Sequence, residues 1–511
     1  MKINDFLAHH QIQRNPFAEE DAQTDPVFKE HCIDGAHHPT WDKIYGDPSE
    51  PSTSVVFGEK GAGKTAMRLQ VARHLDGYNR THSRSRVFVI HYDDFNPFLD
   101  QFRERLVRRK RRRADRVLHE FQLWDHIDAI LSLGVTRLID RILSSSATET
   151  PSDADRISPE QVAHLDRHQR RDLLLLAACY DHSQSAPIAQ RWRSLAGRLK
   201  YRAWSTWLPT IVPLAMLLAV LMLTAYLGWR GQLNQEALDA APWTARGLNA
   251  AWIVAALSTL PWLWRTFRCW RAAFSTVRRT RVIQRQMVPL TRLLTHFPAS
   301  ELVGQPLPNK DRTDDRYALL AKLQNVLAAF GYTGIVVLVD RIDEPHLVNG
   351  SPELMKALLW PMLDNKFLRQ PGVGIKFMLP VELLQFIDRE GRDFYQRARL
   401  DKQNLVPSLE WSGEALYDLA NTRMSFCSVG NAKPKLRQLF EPTVSEQQLI
   451  DAFRRLRVPR HLFKFLYRTL VTHCNLHTDE KPVWQISPQT FESALAVYLK
   501  ELDATNRVMA G

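Results

Sequence analysis

Three kinds of apolar run divide this chain. Short, nearly continuous runs predict strands: Ser54-Val55-Val56-Phe57, Val87-Phe88-Val89-Ile90-His91-Tyr92, Ile335-Val336-Val337-Leu338-Val339 and residues 373–379, with a further short one at 403–406. Residues 335–339 are mostly β-branched and show no apolar–polar alternation, which predicts burial on both faces of a parallel sheet. Apolar residues spaced three or four apart predict helices. They occur from residue 64, where Met67, Leu69, Val71 and Ala72 recur, then over 98–143, around 161–180 and over 265–294. A small C-terminal helical region includes an amphipathic helix opening at Val458-Pro459-Arg460-His461. The third kind of run is longer and uncharged. Residues 203–229 would extend roughly 40 Å as a helix, enough to cross a hydrocarbon core with tilt. Residues 247–264 lie near the lower length limit for a span. Irregular polar stretches fall at 15–51, 144–155 and 298–315, and no internal repeat is evident.

One strand-to-helix turn carries recognisable chemistry. Gly58-Glu59-Lys60-Gly61-Ala62-Gly63-Lys64-Thr65 fits the pattern G-x-x-x-x-G-K-S/T. In that pattern glycines let backbone N–H groups wrap phosphate oxygens; Lys64 would reach the β and γ phosphates and Thr65 would ligate Mg2+. The helix N-terminus adds partial positive charge. Hydrolysis also needs acidic groups at the end of a second strand. Asp340 leaves 335–339 as the expected magnesium ligand, and Asp343 and Glu344 follow one turn later. Glu344 is the first choice for the base that orients water, with Asp343 the alternative. The bland readings are a chance Gly-rich loop and a strand followed by an acidic helix cap; the two motifs in one chain outweigh them. Residues 15–51, just before the turn, would supply an adenine pocket or a strap on the sheet.

The uncharged segments lie between these two motifs, which places a bilayer inside a nucleotide-binding domain. Trp204, Trp207, Trp229, Trp243, Trp262 and Trp264 cluster at the segment ends, as rings at the headgroup level do. Arg191, Arg193, Arg198, Lys200 and Arg202 precede the first segment, and Arg265, Arg268, Arg271, Arg278 and Arg279 follow the second. The connection holds Arg230 and Arg246, offset by Glu236 and Asp239. Basic flanks mark the cytoplasmic side, so both motifs and both termini are expected in the cytoplasm and loop 231–245 outside.

The 511 residues carry a formal net charge of +13, concentrated largely on arginines. Cys32, Cys179, Cys269, Cys427 and Cys474 are isolated, which suggests a reducing compartment and no structural metal. Met1-Lys2-Ile3-Asn4-Asp5 is polar, so the internal hairpin is expected to direct the chain to the membrane. The run Arg108-Arg109-Lys110-Arg111-Arg112-Arg113 suits anionic lipid headgroups, a solvated helix face or, less favoured, nucleic acid. Arg397 and Arg399 stand where an arginine finger would reach a neighbouring subunit's γ-phosphate, or are ordinary surface arginines. Arg460 would report on bound nucleotide as a lid arginine, or is an exposed base in a helix with Pro at its first turn.

The turn at 58–65, the inserted hairpin and the strand ending at Asp340 resemble the KAP family of P-loop NTPases, whose members carry transmembrane helices between the two motifs. Asp93-Asp94-Phe95-Asn96-Pro97 sits where that family tends to have an aromatic-Asn motif. Asp340-Arg341-Ile342-Asp343-Glu344 looks more like the NACHT and related signal-transduction ATPases. The resemblance implies an α/β fold of the additional-strand P-loop class: a parallel sheet with the acidic strand beside the P-loop strand, a large helical insertion, a transmembrane hairpin and a C-terminal helical lid. The expected divisions are 1–96 and 331–410 for the two halves of the NTPase domain, 97–202 for the insertion, 203–264 for the hairpin, 265–330 for a returning basic helix and linker, and 411–511 for the lid. It further implies a homo-oligomeric ATPase using ATP and Mg2+ at a bacterial inner membrane, contacting lipid and an unknown protein partner in phage exclusion or signalling. The alternatives are a nucleotide-gated scaffold with little turnover and a membrane-tethered ATPase stimulated by nucleic acid.

Overall fold

The structure is a computed structural model and describes residues 1–32, 37–106, 113–143, 157–183, 185–201, 208–229, 242–390, 394, 400, 404–430 and 433–510. The chain forms two compact units, one of Met1–Asn96 with Thr333–Gly511 and the other of Pro97–Tyr332.

The first unit is built on five strands, β1 (Ser54–Gly58), β2 (Arg86–Tyr92), β3 (Tyr332–Val339), β4 (Val373–Pro380) and β5 (Asn404–Val406), in the order β2-β3-β4-β1-β5. The sheet is parallel, with Val337 opposite Ile375 and Val55 opposite Phe377. β1 and β4 are buried along their whole length, which is why their sequences show no alternation and are apolar apart from Ser54 and Lys376. The expected adjacency of the acidic strand and the P-loop strand is corrected: β4 lies between β3 and β1. Gly374 lets β4 take that place, because a β-carbon there would come within 2.7 Å of the Ser52 carbonyl oxygen where the chain enters β1. Two inter-strand steps set the β1 and β3 tips about 10 Å apart. The gap admits more than a direct side-chain contact.

Helix α1 (Lys64–Thr81) follows β1 and runs past His74, where the sequence pattern ends the expected helix, since Leu75 and Tyr78 continue the stripe. Val71 and Leu75 pack on Val87, Val89, Val336 and Leu338 of the sheet. The C-terminal region folds as α2 (Gly413–Phe426), α3 (Glu446–Leu456), α4 (Pro459–Leu476) and α5 (Pro488–Ala510). Their core takes in Phe6, Phe17, Val27 and Phe28, so the N-terminal segment packs mainly on these helices, while Ile44 joins Val56 and Met67 beside the sheet. A buried Asp25–Arg423 ion pair of 2.6 Å fastens the segment, and Arg423 Nε donates to the Pro16 carbonyl at 2.7 Å.

The second unit is helical. The expected helices over 98–143 and 161–180 are subdivided into Asn96–Arg105, Ala114–His119 and Leu123–Leu143, and into Pro159–Ala163 and Arg167–Tyr180; a capping box at Asp166 starts the last. A fully buried Arg316–Asp128 pair of 3.1 Å, to which the Tyr180 hydroxyl donates at 2.7 Å, knits the core. Helix Leu208–Trp229 packs against Pro242–Ser258. Among the described residues Ile211–Trp229 is one helix long and apolar enough to cross a membrane. The second expected span, 247–264, is divided at Thr259, where Pro261 opens a new helix, Leu260–Arg279, and cannot continue the preceding one. That helix buries Cys269, Ala273 and Thr276 and exposes Leu263, Trp264, Phe267, Trp270 and Phe274 on the opposite side. Arg108, Arg109, Lys110, Arg111 and Arg112 lie outside the described residues, as do Trp204, Trp207, Arg202, Arg230, Glu236 and Asp239.

Candidate functional site

The turn after β1 is shaped by two left-handed glycines, Gly61 at φ 92° and Gly63 at φ 96°, the latter capping α1. A β-carbon at position 61 would approach the Arg460 β-carbon to 2.6 Å. The Arg460 backbone N–H points to the Gly61 carbonyl at 3.4 Å, and Trp411 Nε1 donates to the Ala62 carbonyl at 2.8 Å. Lys64 Nζ donates to the carbonyls of Gly58 at 2.8 Å and Glu59 at 2.9 Å, folding back over its own loop. Burial pushes the Lys64 ammonium below its ordinary range, while Asp343, Asp340 and Glu382 pull it back up.

Asp340 leaves the tip of β3 almost fully buried. Its carboxylate accepts from the Arg341 backbone N–H at 2.9 Å and from Arg68 Nε at 3.1 Å, with the Thr65 hydroxyl close by. Arg68 Nη1 also bonds Asp93, which follows β2, so two carboxylates bracket one buried guanidinium. Burial raises the Asp340 carboxyl above the usual carboxylate range; Arg68 and Thr65 hold it down against that. Arg341 takes a left-handed φ of 61°, a strained turn for a non-glycine residue that sends the chain toward Asp343 and Glu344. Glu344 lies 3.5 Å from Arg341 Nε with its side chain 56% exposed. Partial burial raises its carboxyl, Arg341 opposes this, and Asp343 and Asp340 add to it.

Lys60, Lys64, Thr65, Asp340, Asp343 and Glu344 line one cleft. Arg460 also lines it, together with Glu20, Phe28, His38 and Trp411. Glu20 lies 3.6 Å from Arg460 Nε and 3.2 Å from Lys464 Nζ. His38 bonds the Glu410 carbonyl at 2.7 Å through Nε2 and stands edge-on to Trp411 at 5.0 Å. The residues predicted for phosphate and metal therefore meet with both candidate bases, whereas Arg397 and Arg399 lie outside the described residues. Sequence reasoning missed Arg68, Glu20, Trp411 and Glu382. Arg68 carried a usable signal, being one helical turn beyond Lys64 on the same face. Glu20 and Trp411 reach the cleft, and Glu382 acts on Lys64, through long-range folding, and they carried none.

No protein-family model, curated protein or solved structure matches the chain, so the meaning of this cleft rests on its own geometry.

Proposed function

We propose that the chain is a membrane-anchored, Mg2+-dependent P-loop ATPase, similar to the KAP family in its inserted apolar segment and nearer to the NACHT type in its acidic motif. The observation that carries this reading is the meeting of Lys64, Thr65 and Asp340, from opposite ends of the sequence, in a glycine-walled cleft. Lys64 would exchange its two carbonyl acceptors for the β and γ phosphates of ATP. The Thr65 hydroxyl and Asp340 carboxylate, hard oxygen donors near enough for the hydroxyl to hold the carboxyl down, suit Mg2+, which takes few protein ligands beside phosphate and water. When bound, the ion neutralises charge on the phosphates. Glu344, its carboxyl raised by partial burial, accepts the proton of the attacking water; Asp343 is the second candidate. Arg460 senses the nucleotide from the lid, and Arg397 or Arg399 would act across a homo-oligomer.

Membrane attachment is supported by the parity of the chain. β1 precedes Ile211–Trp229 and β4 follows it, yet the two pair in one sheet. If Ile211–Trp229 crosses a bilayer, the chain must cross again before β3. Helix Pro242–Ser258, roughly 26 Å long, continues into the exposed aromatic face of Leu260–Arg279 and is the candidate return. Basic flanks put the ATPase unit in the cytoplasm, at a bacterial inner membrane in this reading, with phage exclusion or membrane signalling as its role.

Purified full-length protein in detergent should hydrolyse ATP with Mg2+, and Lys64→Ala should lower the rate by at least about a hundredfold. Glu344→Gln should do so more severely than Asp343→Asn. Full activity in Glu344→Gln removes the base assignment, and full activity in Lys64→Ala removes the ATPase reading. A second reading, a nucleotide-gated scaffold, is favoured by the engagement of Glu344 with Arg341. Tight ATP binding without turnover, with a nucleotide-dependent rise in mass on size exclusion, would select it.

A further inference from the structure

The second unit holds a cavity of about 400 Å3 far from this chemistry in sequence. Its wall includes Asp181, His182, Ser183, Pro187, Gln284 and Arg285. Arg285 is 7% exposed. Its Nε donates to the Cys179 carbonyl at 2.8 Å, but its Nη2 is buried with no hydrogen-bond partner among the described residues. A guanidinium has several N–H donors and stays charged, so a buried one lacking a counter-ion is costly. The nearest acid is already committed. Asp181 takes Arg191 through both oxygens, at 2.8 and 3.0 Å, and Arg191 reaches on to the half-exposed Asp140 at 2.8 Å. Along the cavity wall this leaves two arginines against one carboxylate.

A second donor group faces the same space. Helix Ile188–Arg198 begins after Pro187 with no side-chain cap, and Ile188 and Ala189 of its first turn line the cavity. The Gln190 and Arg191 N–H groups donate to the Pro187 carbonyl at 2.9 and 3.1 Å, which leaves those of Ile188 and Ala189, without an acceptor in their own helix, at the positive end of its dipole. Burial also drags the Arg285 guanidinium down to about 10, against the opposing pull of Cys179, Asp181 and Tyr180.

We infer that this cavity binds a phosphate-bearing anion, held between the Arg285 guanidinium and the N-terminus of helix Ile188–Arg198, with Ser183 and Gln284 as further donors. Arginine with a helix N-terminus suits the several oxygens of a phosphate group. The group would belong to a soluble phosphate ester or to a phospholipid headgroup, since the unit also carries the apolar helix. The inference is independent of the ATPase reading.

The test uses full-length protein in detergent, in a Lys64→Ala background so that the cleft of the first unit does not respond. Thermal unfolding is followed with millimolar inorganic phosphate against chloride at equal ionic strength, and in micelles doped with phosphatidic acid against phosphatidylcholine. At least one probe should raise the midpoint by about 2 °C or more. A response to phosphate alone assigns a soluble ligand, to phosphatidic acid alone a lipid, and to both the shared headgroup chemistry. Arg285→Gln should abolish the response. Ala189→Asp, which builds a carboxylate into the cavity, should raise the midpoint without any probe and also abolish the response; it decides the matter should Arg285→Gln fail to fold. The inference is overturned if neither probe moves the midpoint, if the response survives Arg285→Gln, or if Ala189→Asp lowers the midpoint and leaves the response intact.

Discussion

Replacing Lys376 by Met should make the protein more stable, by an amount that fades with rising pH. Lys376 sits on β4 between Ser54 of β1 and Leu338 of β3, only 2% exposed. Its Nζ has no hydrogen-bond partner among the described residues. Burial pushes the ammonium from 10.5 down to about 8. That gap, at about 1.4 kcal/mol per pH unit, is worth about 3 kcal/mol. The sign follows from which state prefers the proton. The unfolded chain binds it more tightly, so the penalty is absent above pH 10.5, grows as pH falls, and is complete below about pH 8. Methionine has similar length and no charge, so Lys376→Met should gain about 3 kcal/mol at pH 7 and only about 1 kcal/mol at pH 10. Denaturant unfolding of both proteins at the two pH values measures the difference directly. An equal gain at both would assign the effect to packing. A loss of stability at pH 7 would refute the reasoning, because it would mean the ammonium has a partner in the folded protein.

Three further substitutions probe the cleft. Arg68→Gln strips Asp93 and Asp340 of their shared cation and should cost about 3–5 kcal/mol in unfolding experiments, with Asp340→Asn in the same chain recovering part of the loss. Gly61→Ala forces a side chain onto a left-handed backbone against Arg460 and should cost about 1–3 kcal/mol while weakening nucleotide binding in a fluorescent-ATP titration. Glu20→Gln frees Arg460 and Lys464 for phosphate and should tighten ATP binding up to about fivefold at low salt, an advantage that shrinks as salt is added.

What the sequence disclosed depended on how local each cause was. The strands at β1, β3 and β4 were legible because burial on both faces leaves a nearly continuous apolar run, interrupted in β4 by Lys376. The turn at 58–65 was legible because its glycines and Lys64 act through adjacent backbone. Strand order was not, since the position of β4 depends on how closely Gly374 can approach Ser52, a contact between distant segments. The same limit hid Glu20 and Trp411, which enter the cleft from either end of the chain. The break at Thr259 lay within reach: Pro261 announces it, but the absence of charge over 247–264 masks a change of helix. Arg285 and Lys376 were invisible, because their significance is a buried nitrogen, Nη2 and Nζ, without a hydrogen-bond partner among the described residues, which only three-dimensional packing reveals.

Connectivity gives the insertion a definite mechanical relation to the cleft. The chain leaves the first unit at Asn96, just beyond Asp93, and returns at Thr333 in the strand that ends at Asp340. β2 and β3 are neighbours in the sheet, and Arg68 links their tips. The exit is itself fastened to the acidic loop, for the Asn96 side chain accepts the His346 backbone N–H at 3.1 Å. A cation arriving at Asp340 would compete with Arg68 for that carboxylate and leave Arg68 to Asp93 alone. The disturbance then falls on the strand pair through which the chain enters and leaves the helical unit, while β1 and β5 lead only to other parts of their own unit. In the proposed membrane-anchored reading, an even number of crossings would keep both connections on one side of the bilayer. If the cleft takes nucleotide as proposed, its occupancy would act on the insertion through a few residues of backbone, without a signal having to traverse the sheet.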